Sequence, residues 1–437
     1  MALGTDGGVD PVFLGEGAFP SAFAVTDFAT ATVAAAGLEV ARLLGGERNV
    51  TVDRRMASWW FLSTVRPEGW QLPPAWDAVA GDYRTADGWI RLHTNAPHHR
   101  AAALAVLGTA NERDAVAAAV AGWKADELEA AVVAANGCAA AMRSAGEWTL
   151  HPQGASVAAE PLIAWSETDD PSPWSWQPTP ERPLAGLRVL DLTRVLAGPV
   201  ATRFLAGYGA DVLRIDPPWW EEPGVATEVT LGKRCARLDL RTDDGRRQFE
   251  HLLASADVFV HGYRSDALER LGLGDERLRA IAPGLVDVAL DAYGWTGPWS
   301  KRRGFDSLVQ MSCGIADAGM RTAGNERPTP LPAQALDHGT GYLIAAAVLQ
   351  GVRRRAATGR GVSARLSLAR TARLLQSGPA GSFEHELAPV TDGDNEPELE
   401  ATSWGPARRL RPPLAVEGAE QRWERPATSL GSHAAEW

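Results

Sequence analysis

Apolar residues recur along this chain with two different periods, and the switch between them divides it. Residues 20–44 carry Phe23, Val25, Phe28, Val33, Leu38 and Leu43 among alanines at helical spacing, interrupted at Gly37. A Gly45-Gly46 turn leads to Val50-Thr51-Val52, which alternates as a short strand does. From Trp59 to Trp76 tryptophan and proline dominate, and the stretch reads as loop. A compact unit follows from Tyr83, where Asp87-Gly88 is a turn signal ahead of the strand Trp89-Ile90-Arg91-Leu92-His93. Helical patterns cover 98–107, 111–123 and 127–135, with Asn111 and Asp126 as expected caps of the last two. Pro171, Pro173, Pro178, Pro180 and Pro183 among Asp, Ser and Thr then mark residues 166–183 as a linker.

Beyond the linker, short continuous apolar runs take over. Residues 187–192 read as a buried strand, Ala197-Gly198-Pro199 turns it into a helix over 200–208, and 212–216 is a second strand. Strand, helix and strand within about thirty residues form a βαβ unit, hence a parallel sheet with helices on its faces. Further strands are expected at 237–240, 258–261 and 285–290, with a helix at 245–254. The fold class is α/β: a Rossmann-like parallel sheet domain plus a small α+β domain.

The densest pattern lies near residue 340. Ala335-Leu336-Asp337-His338-Gly339-Thr340-Gly341 opens an apolar run that predicts a helix, closed by Arg353, Arg354 and Arg355. Acid at the start and base at the end both suit the helix dipole. Thr358-Gly359-Arg360-Gly361 then turns into a strand pattern at 362–368. Two readings of Asp337 stand: an N-cap for the free amides of the first turn, or a nucleophilic carboxylate. Val33-Ala34-Ala35-Ala36 echoes Ile344-Ala345-Ala346-Ala347, and Val50-Thr51-Val52 echoes Val362-Ser363-Ala364. Helix, glycine turn and strand in the same order suggest a diverged internal repeat. In the first copy Thr26 falls where Asp337 falls in the second, with Asp27 one position off, so one special carboxylate per chain is expected.

Composition narrows the class. At 437 residues, 45% hydrophobic and 22% charged, the chain reads as soluble and globular, with room for two or three domains. A net charge of −11 argues against nucleic acid or an anionic membrane as the main partner. Cys138, Cys235 and Cys313 are far apart and form no CxxC, which fits a reducing cytoplasm without disulfides or a thiolate zinc site. Residues 1–17 are Gly-rich and acidic with no signal-peptide pattern, and no run reaches the roughly 18 apolar residues of a membrane span. The histidines form no HExxH, and no metal site is expected. The turn at Gly198-Pro199 has neither GxGxxG nor GxxxxGKS/T, so the standard dinucleotide and P-loop cradles are missing.

Several segments, in order, resemble the family III coenzyme A transferases: 184–192, Ala197-Gly198-Pro199, Gly209-Ala210-Asp211-Val212, Lys233-Arg234, Leu268-Glu269-Arg270-Leu271-Gly272, Gly294-Trp295-Thr296-Gly297-Pro298 and Gly304-Phe305-Asp306. Asp337 with Thr358-Gly359-Arg360-Gly361 completes the set, and Leu430-Gly431-Ser432-His433 looks like the family's closing segment. The resemblance implies that Asp337 is the nucleophile. It also implies that Val195, Ala197, Tyr263, Arg270, Arg303 and Phe305 contact coenzyme A, which enters as acyl-CoA substrate with no permanently bound cofactor. All of these but Phe305 have a plainer reading as well. Val195 and Ala197 would pack the turn, Tyr263 would be core, Arg270 a solvated helix charge, and Arg303 part of a surface cluster with Lys301 and Arg302.

The order of parts differs from that of the family. The unit from Asp87 to Trp148 resembles the family's small domain yet precedes the nucleotide-binding part. The expected division is 1–80, a segment echoing the catalytic helix region; 81–165, the small domain; 166–183, the linker; and 184–437, the CoA-binding domain with catalytic helix and return tail. Two family-like halves, each lacking a part, account for this and for the helix echo; circular permutation accounts for the order alone. The glycine-rich loop that some members carry over the active site has no counterpart here. The resemblance implies a homodimer or an internal pseudo-dimer.

The chemistry that the resemblance implies is transfer of CoA between an acyl-CoA and a carboxylic acid, through an aspartyl anhydride and an aspartyl-CoA thioester. Position at a helix start favours the ionised carboxylate, and Gly339 and Gly341 are expected to let substrate approach the backbone. An acyl-CoA racemase is the alternative within the same superfamily; it pairs the aspartate with a histidine at the position that is Phe305 here, and Phe305 cannot exchange a proton. A non-catalytic CoA-binding partner is the third reading.

Overall fold

The change of pattern at residue 187 marks the first parallel strand of the main sheet. A computed structural model describes residues 10–264, 266–384 and 386–437, and the acidic start up to residue 9 lies outside the described residues. The first part runs β1 (Val12–Leu14), α1 (Val25–Leu43), β2 (Val50–Asp53), α2 (Arg54–Trp60), β3 (Val65–Pro67), β4 (Gly81–Arg84) and β5 (Trp89–Leu92). It continues with α3 (Pro97–Leu107), α4 (Arg113–Val120), α5 (Ala125–Ala134), β6 (Ala139–Ala141), α6 (Ala145–Leu150) and α7 (Pro152–Ala159). β4, β5 and β6 make an antiparallel sheet, and Ile90, Leu92, Val116, Leu128 and Val132 share a core with the helices that cover it. This is the small α+β unit.

Next come β7 (Ala164–Pro171), β8 (Arg188–Leu192), α8 (Ala197–Gly207), β9 (Asp211–Asp216), α9 (Ala226–Val229), β10 (Arg234–Arg237), α10 (Asp243–Ala254) and β11 (Val258–His261). After these lie α11 (Ala267–Arg270), α12 (Asp275–Ile281), β12 (Val286–Asp291), α13 (Asp306–Ser312), α14 (Ile315–Ala323), α15 (Ala335–Thr358), β13 (Arg360–Ser367) and α16 (Leu368–Gln376). A seven-stranded sheet has the order β10-β9-β8-β11-β12-β13-β7, parallel except for the edge strand β7. All four residues of β11 are buried, as expected for a central parallel strand covered on both faces. The tail adds β14 (Glu400–Thr402), β15 (Gly405–Arg409) and β16 (Leu414–Val416); β16 pairs with β2 and β15 with β3.

Several expectations need correction. Residues 166–171 of the expected linker belong to β7, which hydrogen-bonds to β13 as a sheet edge, a place where proline is tolerated. The stretch from Trp59 to Trp76 is loop only in part: α2 ends in it, started by Asp53 accepting from the Met56 amide, and β3 lies within it. The strand expected at 237–240 sits earlier, at β10, because its partner β9 ends at Asp216, opposite Arg237. α8 starts at Ala197 rather than 200. Neither Asn111 nor Asp126 is a cap: Glu112 and Lys124 hold those positions, and the first amide of α5 donates instead to Asp87 at 2.9 Å.

Helix α15 is the centre of the molecule. Every residue from Ala335 to Leu349 is buried, as befits a helix apolar all round. Val33 and Val40 of α1, Val200 and Phe204 of α8, and Val189, Val260 and Val288 of the sheet share one core with Leu343 and Val348 of α15. Close approach is built in at Gly339, where a Cβ would lie 2.2 Å from the Phe28 ring of α1. Gly341 does the same for α8, where a Cβ would be 2.6 Å from the Ala197 carbonyl oxygen. The two glycines therefore serve helix packing and not, as expected, the approach of a substrate. Among the described residues, no helix is long and apolar enough to cross a membrane.

Candidate active site

The turn from β8 into α8 is held in an unfavourable conformation. Val195 has φ +64°, a region that a β-branched residue occupies only when its surroundings force it there. Two buried ionic networks supply the force. On one side Asp191 accepts from the Thr193 amide at 2.9 Å and from Lys233 at 3.0 Å, and Lys233 also donates to Thr202 at 2.6 Å and to the Pro199 carbonyl at 3.0 Å. On the other, Glu222 accepts from the Val195 amide at 2.9 Å while Arg214, paired with Asp216, holds the other Glu222 oxygen. Removing one partner from such a buried network leaves an uncompensated charge, which costs about 3–5 kcal/mol.

This turn stands at the switch point of the sheet, where the strand order leaves β8 in one direction for β9 and in the other for β11. Ligands of open parallel sheets bind outside the carboxyl ends of the strands at that point. A cavity of about 380 Å³ lies there, lined by the ends of β8, β11 and β12, by residues 302–305, and by His98 and His99 of the small unit. Val195, Ala197, Tyr263, Arg303, Phe305 and Asp337 all line it. Arg270 is not among the lining residues; it pairs with Asp266 one turn earlier, with its side chain 67% exposed.

Asp337 is not the N-cap of α15. Gln334 holds that position, with Asp337 third in the helix and its side chain making no capping bond. The cap comes from another element: Asp306 Oδ2, at the start of α13, accepts from the amides of Leu336 at 2.9 Å and Asp337 at 3.1 Å. Asp306 is itself held by Gln310, whose other end accepts from the Leu331 amide at 2.8 Å. Two buried carboxyls thus meet at one helix start. Burial pushes Asp306 up to about 6, and burial together with the charge of Asp306 raises Asp337 well above the ordinary carboxylate range. The helix start therefore favours ionisation of Asp306, while Asp337 is held back; like charges this close titrate as a pair. Counted from the helix starts, Asp27 rather than Thr26 takes the matching third position in α1, where it pairs with half-buried Arg54 at 2.7 Å. His338 stacks on Phe61 and is kept neutral by burial, which lowers it to about 3; its role is packing.

The cavity is locally basic in an acidic protein. Arg194 lies over Trp220 and Tyr263, at 4.8 and 5.0 Å from the ring centres, and donates to the Tyr263 hydroxyl. Among the described residues Arg303 makes only long bonds, to Asn136 at 3.3 and 3.5 Å, and Arg264 donates to the Lys301 carbonyl at 3.3 Å. Arg302, by contrast, is spent on Glu129 at 2.9 Å and on the Trp299 ring. On the wall nearest Asp306, His93 stacks flat on Phe305, ring centres 3.7 Å apart. Sequence reasoning missed Arg194, Arg264, Asp306, Asp291 and His99. Arg194 sits in the very turn that was singled out, and Asp306 ends the Gly304-Phe305-Asp306 motif; the other three become visible only when the strand ends converge.

The sequence model of CoA-transferase family III matches residues 184–407. Over 199 residues the chain is 35% identical to the acetyl-coenzyme A transferase nodX of Hypoxylon pulicicidum, covering 43% of this chain and 34% of that protein. It is 35% identical over 208 residues to the succinyl-CoA:glutarate CoA-transferase of Mus musculus, 43% of this chain and 47% of that one. The chain thus spans about a third to a half of the length of these relatives. An acyl-CoA transferase of Gibberella moniliformis is 27% identical over 384 residues, 77% of this chain and 67% of its own length. That match is too long to fit between residue 184 and the end of the chain, so it reaches into the first part of this chain as well. The matched region holds the strained turn, the basic cavity and the helix of Asp337 together, and the chain belongs to CoA-transferase family III.

Proposed function

We propose that the chain moves coenzyme A between an acyl-CoA thioester and a carboxylic acid, with Asp337 as the nucleophile. The observation that carries this reading is the meeting, in one cavity at the sheet's switch point, of a buried carboxyl with several arginines and a strained turn. Arg194, Arg264 and Arg303 suit the phosphates of CoA, for which guanidinium donors are well matched. Val195, Ala197, Tyr263 and Phe305 supply the apolar and backbone contacts along the same path. Arg270, on the surface beyond Ala267, would reach only a phosphate that extends outside the cavity.

In the first step the Asp337 carboxylate attacks the thioester carbonyl, forms a mixed anhydride and expels CoA as thiolate. The thiolate attacks the aspartyl carbonyl, giving an aspartyl-CoA thioester and the free first acid. The incoming carboxylate attacks that thioester, again expelling thiolate, which takes the new acyl group from the anhydride and restores Asp337. Charge balances at each step without ATP. Because burial and the Asp306 charge hold Asp337 back from ionising, the reactive form grows as pH rises.

The absence of a histidine at position 305 supports transfer over racemisation. The arrangement of parts supports a fused pair of family-like halves with one working site, the cysteine pattern supports a cytoplasmic, reduced protein, and the resemblance to the family supports a homodimer or internal pseudo-dimer. The test is covalent trapping. Incubation with acyl-CoA followed by hydroxylamine or borohydride should mark the peptide that contains Asp337, and Asp337→Asn should abolish both the mark and transfer, by at least about 10³-fold. A chain that binds acyl-CoA but is never marked would refute the nucleophile.

A further inference from the structure

Two polar side chains face the cavity with hydrogen-bonding capacity that the protein leaves unused. His99 is 4% exposed, and neither ring nitrogen has a hydrogen-bond partner among the described residues. Asp291, at the end of β12, accepts from the Gly294 amide at 2.8 Å through one oxygen, while its buried Oδ2 has no partner among the described residues. A buried polar group without a partner is costly, so two of them lining one cavity point to a ligand that satisfies them.

Their chemistry indicates what that ligand carries. Burial, with His98 and Arg303 nearby, lowers His99 to about 3, and burial pushes Asp291 up to about 8. Near neutral pH both are therefore uncharged, and each offers one donor and an acceptor. A hydroxyl, which gives one hydrogen bond and takes another, matches such groups; a carboxylate, which only accepts, leaves acceptors unpaired. Position indicates which end of a thioester is read. The His99 ring packs on the Phe305 ring, 5.9 Å between centres, and the next residue, Asp306, binds the Asp337 amide at 3.1 Å. His99 thus packs on the neighbour of the residue that holds the Asp337 amide, so in this reading it faces the acyl end of the thioester.

We propose that His99 and Asp291 form a polar subsite for a hydroxyl on the acyl chain, making the cavity selective for hydroxyacyl-CoA thioesters. This rests on reading the cavity as the CoA-thioester site. Neither residue is needed for the transfer steps; both are specificity residues.

Equilibrium binding tests it without requiring turnover. Titration calorimetry on the full chain with 2-hydroxybutyryl-CoA, 3-hydroxybutyryl-CoA, butyryl-CoA and CoA should show one hydroxyacyl thioester binding about 10–100-fold tighter than butyryl-CoA. His99→Phe and Asp291→Ser should each cut that ratio about tenfold or more, with butyryl-CoA and CoA changing less than about twofold. His99→Gln, which keeps a donor and an acceptor, should retain most of the ratio, and circular dichroism checks that each variant is folded. Equal binding of the hydroxylated and plain thioesters overturns the proposal while leaving CoA transfer intact. Variants that weaken all four ligands alike overturn it too, by assigning the two groups to the pantetheine amides that every CoA thioester carries. Failure of every CoA compound to bind overturns the functional reading itself.

Discussion

Asp306 governs Asp337 through two effects that act in the same direction. It takes the helix-start amides that would otherwise stabilise a charge on Asp337, and its own charge raises the neighbouring carboxyl. Replacing it by Asn keeps an oxygen acceptor for the amides but removes the charge. The Asp337 carboxyl then ionises at lower pH, so in Asp306→Asn the rising limb of kcat/KM against pH should move toward acid. The mispaired amide facing Gln310 should cost about 1–3 kcal/mol of stability, read by urea unfolding. A limb that stays in place would mean that burial alone sets the reactivity of Asp337. At this scale the sequence made Asp337 legible, since its setting among glycines before a Thr-Gly-Arg-Gly turn is local. The carboxyl that controls it lies 31 residues away. The networks that strain Val195 are also non-local, with Lys233 and Glu222 coming from later segments. Nothing in a local pattern announces a positive φ at a valine.

Between elements the same lesson recurs in the capping. For α5 and α15 an Asp inside the first turn looked like the cap, and in both the first amides turn instead to a carboxylate from outside the helix, Asp87 and Asp306. Local grammar ranks residues by what they can do for their own turn, and it has no access to a stronger acceptor brought in by packing. The glycines of α15 were misread for a related reason. Their lack of a Cβ was assigned to a substrate, whereas the neighbouring helices occupy the space. Gly339→Ala should therefore destabilise the chain by about 1–3 kcal/mol through overpacking against Phe28. Adding Phe28→Leu should return part of that loss in a double-mutant cycle. Gly341→Ala meets the rigid Ala197 carbonyl rather than a ring, so no comparable side-chain replacement should rescue it.

At the scale of the whole molecule, the parallel sheet and the separate small unit were readable because each has its own period and its own core. What pattern alone did not reveal is how the two ends of the chain close on the middle. α1 lies against α15, β16 completes the sheet around β2, and Trp423 of the tail stacks on Trp60 while donating to the Arg203 carbonyl at 2.8 Å. A helix as apolar as α15 has no face to turn toward water, so the first segment covers it rather than decorating it. A chain reduced to residues 184–437, the part most like the family, should then keep far-UV helical and strand signal but lose near-UV dichroism and bind a hydrophobic dye, the signature of lost packing. Supplying residues 1–183 as a separate fragment should restore near-UV dichroism and binding of CoA, because the contacts that close the core are non-covalent. A natively packed, CoA-binding 184–437 fragment would instead mean that the α1 face is dispensable and that the first half had been joined to an already complete site.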